Sequence, residues 1–331
     1  MKFSLIICTY MRPKALLNLL NSVNKQTLYP NEILIIDGST NSETEQNLKQ
    51  HPFKNLVYHK VDDEHRGLTK QRNYGISKVH QNSEAICFLD DDTVLNVNYF
   101  KQLLSTYDQY PNALGVGGYI SNEVHWQKAD GSINSKRFYY DGWMRNEPLR
   151  FRIRHWFGLG PDTPPCVLPS FSHGRSVGFL PPSGKIYPVE HFMGGVSSYK
   201  MSVFKDLRFS TYFEGYGLYE DVDFCLRLTK RGLLYINTAA QLAHYHEPFG
   251  RPNKYKYGKM VIRNGWYVWR VKYPKPNLKM KLKWYSVHLL LISMRLLNIF
   301  TTNRPKEAFN DIIGRLVGCW SLLYNKPLIE D

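Results

Sequence analysis

The chain lacks any stretch long enough to cross a bilayer as a plain apolar helix. Its most apolar late run, Ser286–Phe300, falls short of the ~18–20 residues that a span needs. That run is also interrupted by His288, Ser293, Arg295 and Asn298. Cysteine is scarce: five in 331 residues, at positions 8, 87, 166, 225 and 319, with no C-x-x-C pair. This excludes a disulfide frame and a zinc-finger-type site, and it fits reduced thiols in a cytoplasmic compartment. Met1–Tyr10 is apolar but too short for a signal peptide and has no small-residue cleavage site. No segment is biased enough for disorder, and no internal repeat is visible.

Acidic residues are few where the chain ends. Residues 251–331 hold 16 Lys+Arg against 4 Asp+Glu, leaving 27 against 24 for the first 250 of a chain whose net charge is +15. A near-neutral body with a basic tail points to a polyanionic partner, either nucleic acid or an anionic membrane surface. No nucleic-acid motif accompanies the charge, so none is expected to bind.

Short apolar runs alternate with helical patterns. Phe3–Cys8, Glu32–Ile36, Leu56–His59 and Ala85–Leu89 read as strands, the first, second and fourth apolar enough to be buried on both faces. Between them, Leu16, Leu17, Leu20 and Val23 share a helix face behind Pro13. Glu43–Gln50 and Leu68–Val79 are further helices. Such alternation predicts a mostly parallel α/β sheet with helices on both faces, and ligands bind beyond the carboxyl ends of its strands. From Ser121 to Pro188 the pattern dissolves into Pro, Gly, Arg and aromatics, and an irregular insertion over the active site is expected. Order returns with Phe192–Lys200, a helix over Val222–Arg231 with Gly232 as its C′ residue, and a strand over Leu233–Ile236.

Four clusters carry chemistry. Asp90-Asp91-Asp92 follows the fourth strand. Three adjacent carboxylates call for a cation, and hard oxygen ligands favour Mg2+ or Mn2+. The Asp-Asp-Asp-Thr order sets Thr93 one place too early for a D-x-D-x-T phosphatase motif, which leaves a metal-dependent phosphohydrolase as a weak alternative. Glu220-Asp221-Val222-Asp223 opens a helix, where a carboxylate either caps or serves as a general base, and Asp223 with Arg227 also fits a plain i,i+4 ion pair. His244 and His246 in Ala243–Glu247 would project to one side of a strand, and either is placed to reach a metal. Arg66-Gly67-Leu68-Thr69-Lys70-Gln71-Arg72-Asn73 looks like an anion-binding helix start.

In order and spacing these pieces resemble glycosyltransferase family 2, with its GT-A fold. The resemblance runs over about residues 1–250, from Phe3–Tyr10 through Ile36–Ser39, Gly67 with Arg72-Asn73, Phe88–Asp92 and Glu220–Asp223 to a late histidine. It implies an inverting transferase acting on a nucleotide-sugar, with a UDP- or dTDP-sugar favoured. Thr9, Tyr10 and Arg12 would line the nucleotide pocket. Asp37 would meet the base, Gly67, Arg72 and Asn73 would serve the donor site, and Asp90 and Asp91 would face ribose and sugar. Asp92 and His246, with His244 as the less favoured choice, would hold Mn2+ or Mg2+, and Asp221 would be the catalytic base. The sequence departs from the pattern at Asp37-Gly38, where many relatives carry Asp-Asp, and this leaves the nucleotide open. A catalytically inactive sugar-nucleotide- or glycan-binding module on the same scaffold is the rival reading.

The corresponding division is a nucleotide-sugar half over 1–120, an acceptor or lid segment over 121–188, an acceptor-side half with the base over 189–250, and a basic aromatic helical extension over 251–331. That extension holds four of the seven tryptophans: Trp266, Trp269, Trp284 and Trp320. Lys281, His288 and Arg295 recur every seven residues, as on the polar side of a helix lying in a membrane interface. The expected acceptor is a glycan or a lipid-linked sugar, the setting cell-surface polysaccharide synthesis, and the location cytoplasmic, peripheral on the inner face of the membrane.

Overall fold

The computed structural model describes residues 1–131, 133–246 and 252–329. Glu247 of the histidine motif and Arg251, the expected start of the tail, lie outside the described residues. The chain divides into two compact units: residues 1–125 with 180–250, and residues 126–179 with 251–331.

The first unit contains β1 (Phe3–Thr9), α1 (Pro13–Val23), β2 (Glu32–Asp37), α2 (Glu43–Gln50), β3 (Leu56–Lys60), α3 (Leu68–Lys78), β4 (Ala85–Asp90), β5 (Thr93–Leu95), α4 (Tyr99–Gln109) and β6 (Ala113–Ile120). The second unit begins with β7 (Gln127–Lys128), β8 (Arg137–Tyr140), β9 (Trp143–Asn146) and α5 (Leu149–Trp156). The chain returns to the first for β10 (Ile186–Val189), β11 (Val196–Lys200), α6 (Glu220–Thr229) and β12 (Leu233–His244). Helices α7 (Lys254–Lys272), α8 (Leu278–Asn298) and α9 (Pro305–Tyr324) complete the second.

The large sheet has the order β10-β12-β6-β11-β4-β1-β2-β3, with β5 paired to β12. Strands β3, β2, β1 and β4 are mutually parallel, as are β6 and β12. Strand β11 runs antiparallel between β4 and β6. After β3 the chain crosses back to place β4 on the other side of β1. This reversal brings the carboxyl ends of β1, β2 and β4, at Thr9, Asp37 and Asp90, to one edge. The core beneath is aliphatic and aromatic: Phe3, Leu5 and Ile7 of β1 pack with Leu16, Leu19 and Leu20 of α1 and with Tyr99, Phe100 and Leu103 of α4.

Several expectations are corrected. Gly232 is not a C′ residue, because α6 stops at Thr229 and Gly232 is not among the glycines with positive φ. It makes room instead: a Cβ there would lie 2.7 Å from Leu114 Cδ1. Strand β12 is three times the expected length because it continues to His244 alongside β6 and then β5. The segment 121–188 is not irregular throughout. It contains a three-stranded sheet, β7-β9-β8, and α5, but strands of two to four residues are too short for alternation to show. The side of α8 carrying Lys281, His288 and Arg295 is covered at its middle, while Lys281 stays exposed. His288 is 1% exposed against Trp284, and Arg295 pairs with Asp311 at 2.8 Å. The exposed side carries Leu282, Leu289 and Leu296 instead.

Gly75 sets how closely α3 lies on the sheet, since a Cβ there would stand 2.9 Å from Ile6 Cγ2 and 3.1 Å from Ile36 Cγ1. Gly75→Val is expected to cost about 1–3 kcal/mol through overpacking, read as a lowered denaturation midpoint.

Candidate active site at the carboxyl edge of the sheet

Strand β4 delivers three carboxylates that the fold treats differently. Asp91 points inward and is 3% exposed. Thr9 Oγ1 donates to its Oδ2 at 2.7 Å and Arg12 Nη1 to its Oδ1 at 3.0 Å. Burial raises its carboxyl to about 6, against the opposing pull of Arg12. Asp91 therefore braces the end of β1 and the start of α1. Asp92 is also buried, 3.6 Å from Arg12 Nη1, while the Asp90 side chain is 35% exposed. Tyr10 stands exposed beyond β1.

Asp37, expected at the nucleotide base, is fully buried. Its Oδ1 accepts the Ser39 N–H and its Oδ2 accepts the Tyr58 hydroxyl, both at 2.8 Å. It thus shapes the turn after β2. Burial and the Asp37 carboxylate together push the Tyr58 phenol up.

Helix α3 begins at Gly67, whose φ of 118° suits glycine alone and whose Cα packs toward Gly215. One turn on, Arg72 is 2% exposed. Its guanidinium forms a buried ion pair with Glu220, approaches Asp90 at 3.6 Å, and lies over Phe88 and Phe209 at 5.8 and 5.2 Å. Burial disfavours charge on both partners. The nearby carboxylates hold Arg72 protonated, and burial raises the Glu220 carboxyl while Arg72 draws it back. Asn73 is spent on structure: its amide exchanges two hydrogen bonds with the Phe209 backbone, at 2.8 and 3.0 Å.

Helix α6 supplies Asp221 beside Glu220. Its Oδ1 accepts the Val222 N–H at 2.8 Å, a helix-start contact, and its Oδ2 accepts the Gly194 N–H at 3.2 Å. Burial raises its carboxyl above the ordinary aspartate range. Asp223 is the bland ion pair that the i,i+4 spacing allows, with Arg227 Nη2 at 2.6 Å and Nε at 3.1 Å.

Gly194 and Gly195 join these two clusters. Asp90 N–H donates to Gly195 O at 3.0 Å. A Cβ on Gly195 would fall 1.9 Å from Asp90 Cγ, and one on Gly194 would fall 2.5 Å from both Arg72 Nη1 and Glu220 Oε1. No larger residue fits either place. The sequence reading missed this pair, although a Gly-Gly step just before a strand was the available signal. Glu123 was missed as well, being a single acidic residue in no motif.

The end of β12 completes the site. His244 Nε2 lies 2.9 Å from Asp92 Oδ1, whereas His246 Nε2 lies 2.7 Å from Glu123 Oε1. His246 is past the strand with a φ of 52°, yet the two rings remain 4.1 Å apart. Burial works against charge on His244, but Asp92 and Glu123 outweigh it and push the imidazole up to about 10. Asp90, Asp92 and His244 can bring one ligand atom each within 4.8 Å of one another, and so can Glu123, His244 and His246. The 2.9 Å between His244 Nε2 and Asp92 Oδ1 is close to the roughly 3.0 Å edge between neighbouring ligands of an octahedral ion bound at about 2.1 Å. Oxygen and imidazole donors so spaced fit Mn2+ or Mg2+.

Arg72→Met would strand the buried Glu220 carboxylate and is expected to cost about 3–5 kcal/mol in denaturant unfolding. The second change Glu220→Gln should recover part of that loss in a double-mutant cycle.

The GalNAc-T7 structure with UDP, GalNAc and Mn2+ superposes with a TM-score of 0.53 at 15% identity, covering 81% of this chain and 47% of that one. It shows the GT-A fold for this chain. The glucosyl-dolichyl phosphate glucuronosyltransferase of Haloferax volcanii is 28% identical over 146 residues, 42% of this chain and 44% of its own. The O-antigen chain rhamnosyltransferase RfbN of Salmonella typhimurium is 30% identical over 95 residues, 29% of each chain. The chain thus spans less than half the length of these curated relatives. The family model for glycosyl transferase family 2 matches residues 4–165, which contain β1, β2, α3 and the aspartate triplet. Over those residues the chain is similar to glycosyltransferase family 2.

Proposed function

We propose that this chain transfers a glycosyl group, with inversion, from a nucleoside-diphosphate sugar to a hydroxyl of a glycan or lipid-linked acceptor, in the building of cell-surface polysaccharide. One observation carries the reading. Gly194 and Gly195 are adjacent, and their backbone ties Asp221 to Asp90, the start of the aspartate triplet. A donor held at the triplet then lies beside a base. The names of the relatives, which speak of a glucosyl-dolichyl phosphate and an O-antigen chain, support the acceptor class. The UDP and Mn2+ of the GalNAc-T7 structure support a UDP-type donor.

Asp221 acts as general base. It takes the proton of the acceptor hydroxyl as that oxygen bonds to the anomeric carbon from the face opposite the diphosphate, whose C–O bond breaks with the electron pair leaving on the diphosphate. Glu220 is tied to Arg72 and keeps that cation in place instead. Asp92 and His244, with Asp90 and His246 near, would hold a divalent ion, which when bound would supply charge neutralisation to a leaving diphosphate. Thr9 and Arg12 are both hydrogen-bonded to Asp91 beside Asp92, and Asp37 shapes the turn after β2.

The second unit meets the membrane. Among the described residues no helix is long and apolar enough to cross one. Leu282, Leu289 and Leu296 nevertheless line one side of α8 at 45–59% exposure, and Leu316, Trp320 and Leu323 one side of α9 at 43–66%. Lys279 and Lys281 on α8, Lys306 on α9, and Arg304 and Lys326 just beyond the ends of α9 are exposed as well. Apolar faces on helices that also carry exposed cations fit an anionic bilayer surface and support a peripheral position on the cytoplasmic leaflet. In flotation with anionic vesicles the wild type should rise with the lipid, less so at high salt. Leu282→Asp with Leu289→Asp should remain at the bottom, and unchanged flotation of that variant would refute the docking.

For the activity, a panel of UDP-, dTDP- and GDP-sugars should be assayed for release of nucleoside diphosphate with Mn2+ or Mg2+. Turnover should appear with one nucleotide and vanish on chelation and in Asp92→Ala. Asp221→Asn should lower it by roughly 10²–10⁴-fold. Since the Asp221 carboxyl is raised by burial, the wild-type rate should climb with pH through a midpoint above the usual aspartate range, and Asp221→Asn should lack that limb. Undiminished turnover in Asp221→Asn would remove it from the mechanism.

A further inference from the structure

Strands β6 and β12 run parallel through the pairs Tyr119 with Gln241 and Ile120 with Leu242. Beyond Ile120 the chain stays fastened to β12. The Ser121 N–H and Oγ both donate to Leu242 O, at 2.9 and 3.1 Å. The Asn122 side-chain amide then clasps the His244 backbone. Its Nδ2 donates to His244 O, and its Oδ1 accepts the His244 N–H, each at 2.9 Å. On the other edge β5 pairs Thr93 with His244, and the Tyr245 N–H donates to Asp92 O at 3.0 Å. These backbone bonds fix Asp92, His244 and Glu123 in one register.

The side chains follow from that register. His244 Nε2 stands 2.9 Å from Asp92 Oδ1, and its buried Nδ1, which makes no hydrogen bond among the described residues, lies 3.5 Å from Glu123 Oε1. The same Glu123 oxygen lies 2.7 Å from His246 Nε2. One imidazole therefore stands between two carboxylates, with His246 securing the outer one. His244 is 8% exposed, so water contributes little to orienting its ring. An imidazole that binds a cation through one nitrogen gives its other N–H to a carboxylate or carbonyl, and that partner decides which nitrogen is free.

We propose that Glu123 is the positioning residue of the metal centre: it takes the Nδ1–H of His244, so that Nε2 offers its lone pair to a divalent cation beside Asp92. This rests on the reading of Asp92 and His244 as the metal residues. His246 then acts one step further out, as the anchor of the Glu123 carboxylate. The arrangement assigns the two histidines different tasks, which their spacing in sequence does not.

The test is a titration of the full chain with MnCl2, following free Mn2+ by EPR and heat by calorimetry, in wild type, Glu123→Gln, Glu123→Asp and Asp92→Ala. Asp92→Ala should lose binding. Glu123→Gln should weaken Kd by about 10–100-fold, as loss of a carboxylate behind a ligating histidine does. Glu123→Asp should recover part of that loss, and the metal-free unfolding midpoints should match wild type. Wild-type affinity in Glu123→Gln with binding lost in Asp92→Ala would overturn the role of Glu123 alone. Wild-type affinity in both variants would overturn the metal reading itself. Loss in Glu123→Gln as complete as in Asp92→Ala would make Glu123 a direct ligand and refute the positioning role.

Discussion

The buried guanidinium of Arg72 is the interaction on which the site depends. It is nearly inaccessible to solvent, lies over Phe88 and Phe209, and is held by Glu220 with Asp90 3.6 Å away. A charge in such a place is tolerable only with partners, because desolvation costs several kcal/mol per ion. Those partners come from β4 and from α6, elements about 130 residues apart in sequence. Satisfying one cation therefore forces the aspartate triplet and the Glu220-Asp221 step to meet.

Close approach is the second requirement, and it is met by removing side chains. Gly75 lets α3 lie against Ile6 and Ile36, which sets the depth at which Arg72 enters. Gly194 and Gly195 then leave room for the guanidinium and for the Asp90 carboxylate. The vacated space also frees the Gly194 N–H for Asp221. In this way Asp221 is oriented by backbone donors while Glu220, its neighbour, is consumed by Arg72. Two adjacent acids acquire different chemistry from their surroundings alone.

The carboxylates of the triplet are differentiated by the same means. Asp91 turns under the sheet edge to Thr9 and Arg12, Asp92 turns to His244, and Asp90 stays partly open beside Arg72. Strand alternation accounts for part of this, because successive residues at a strand end point to opposite sides. The long β12 does the rest: by running on past β6 to β5 it carries His244 to Asp92 from a distant part of the chain.

The sequence by itself determined the alternating framework, from Phe3 to Asp90, because buried parallel strands need continuous apolar runs and helices need their own period. It also determined which residue types end those strands, and so the acidic edge and the helix that starts with Glu220-Asp221. It was silent on partners. Asp37 and Asn73 read as ligand contacts, yet their side chains are occupied by Ser39, Tyr58 and Phe209. Glu123 carries no motif and Gly194-Gly195 only a bare Gly-Gly step, and their importance arises from what stands within a few ångströms of them. The outward face of α8 was assigned to its polar heptad, since spacing tells which residues share a side but not which side is covered. Tertiary structure decided these points because burial and pairing are properties of neighbours brought from afar, and local pattern carries no record of them.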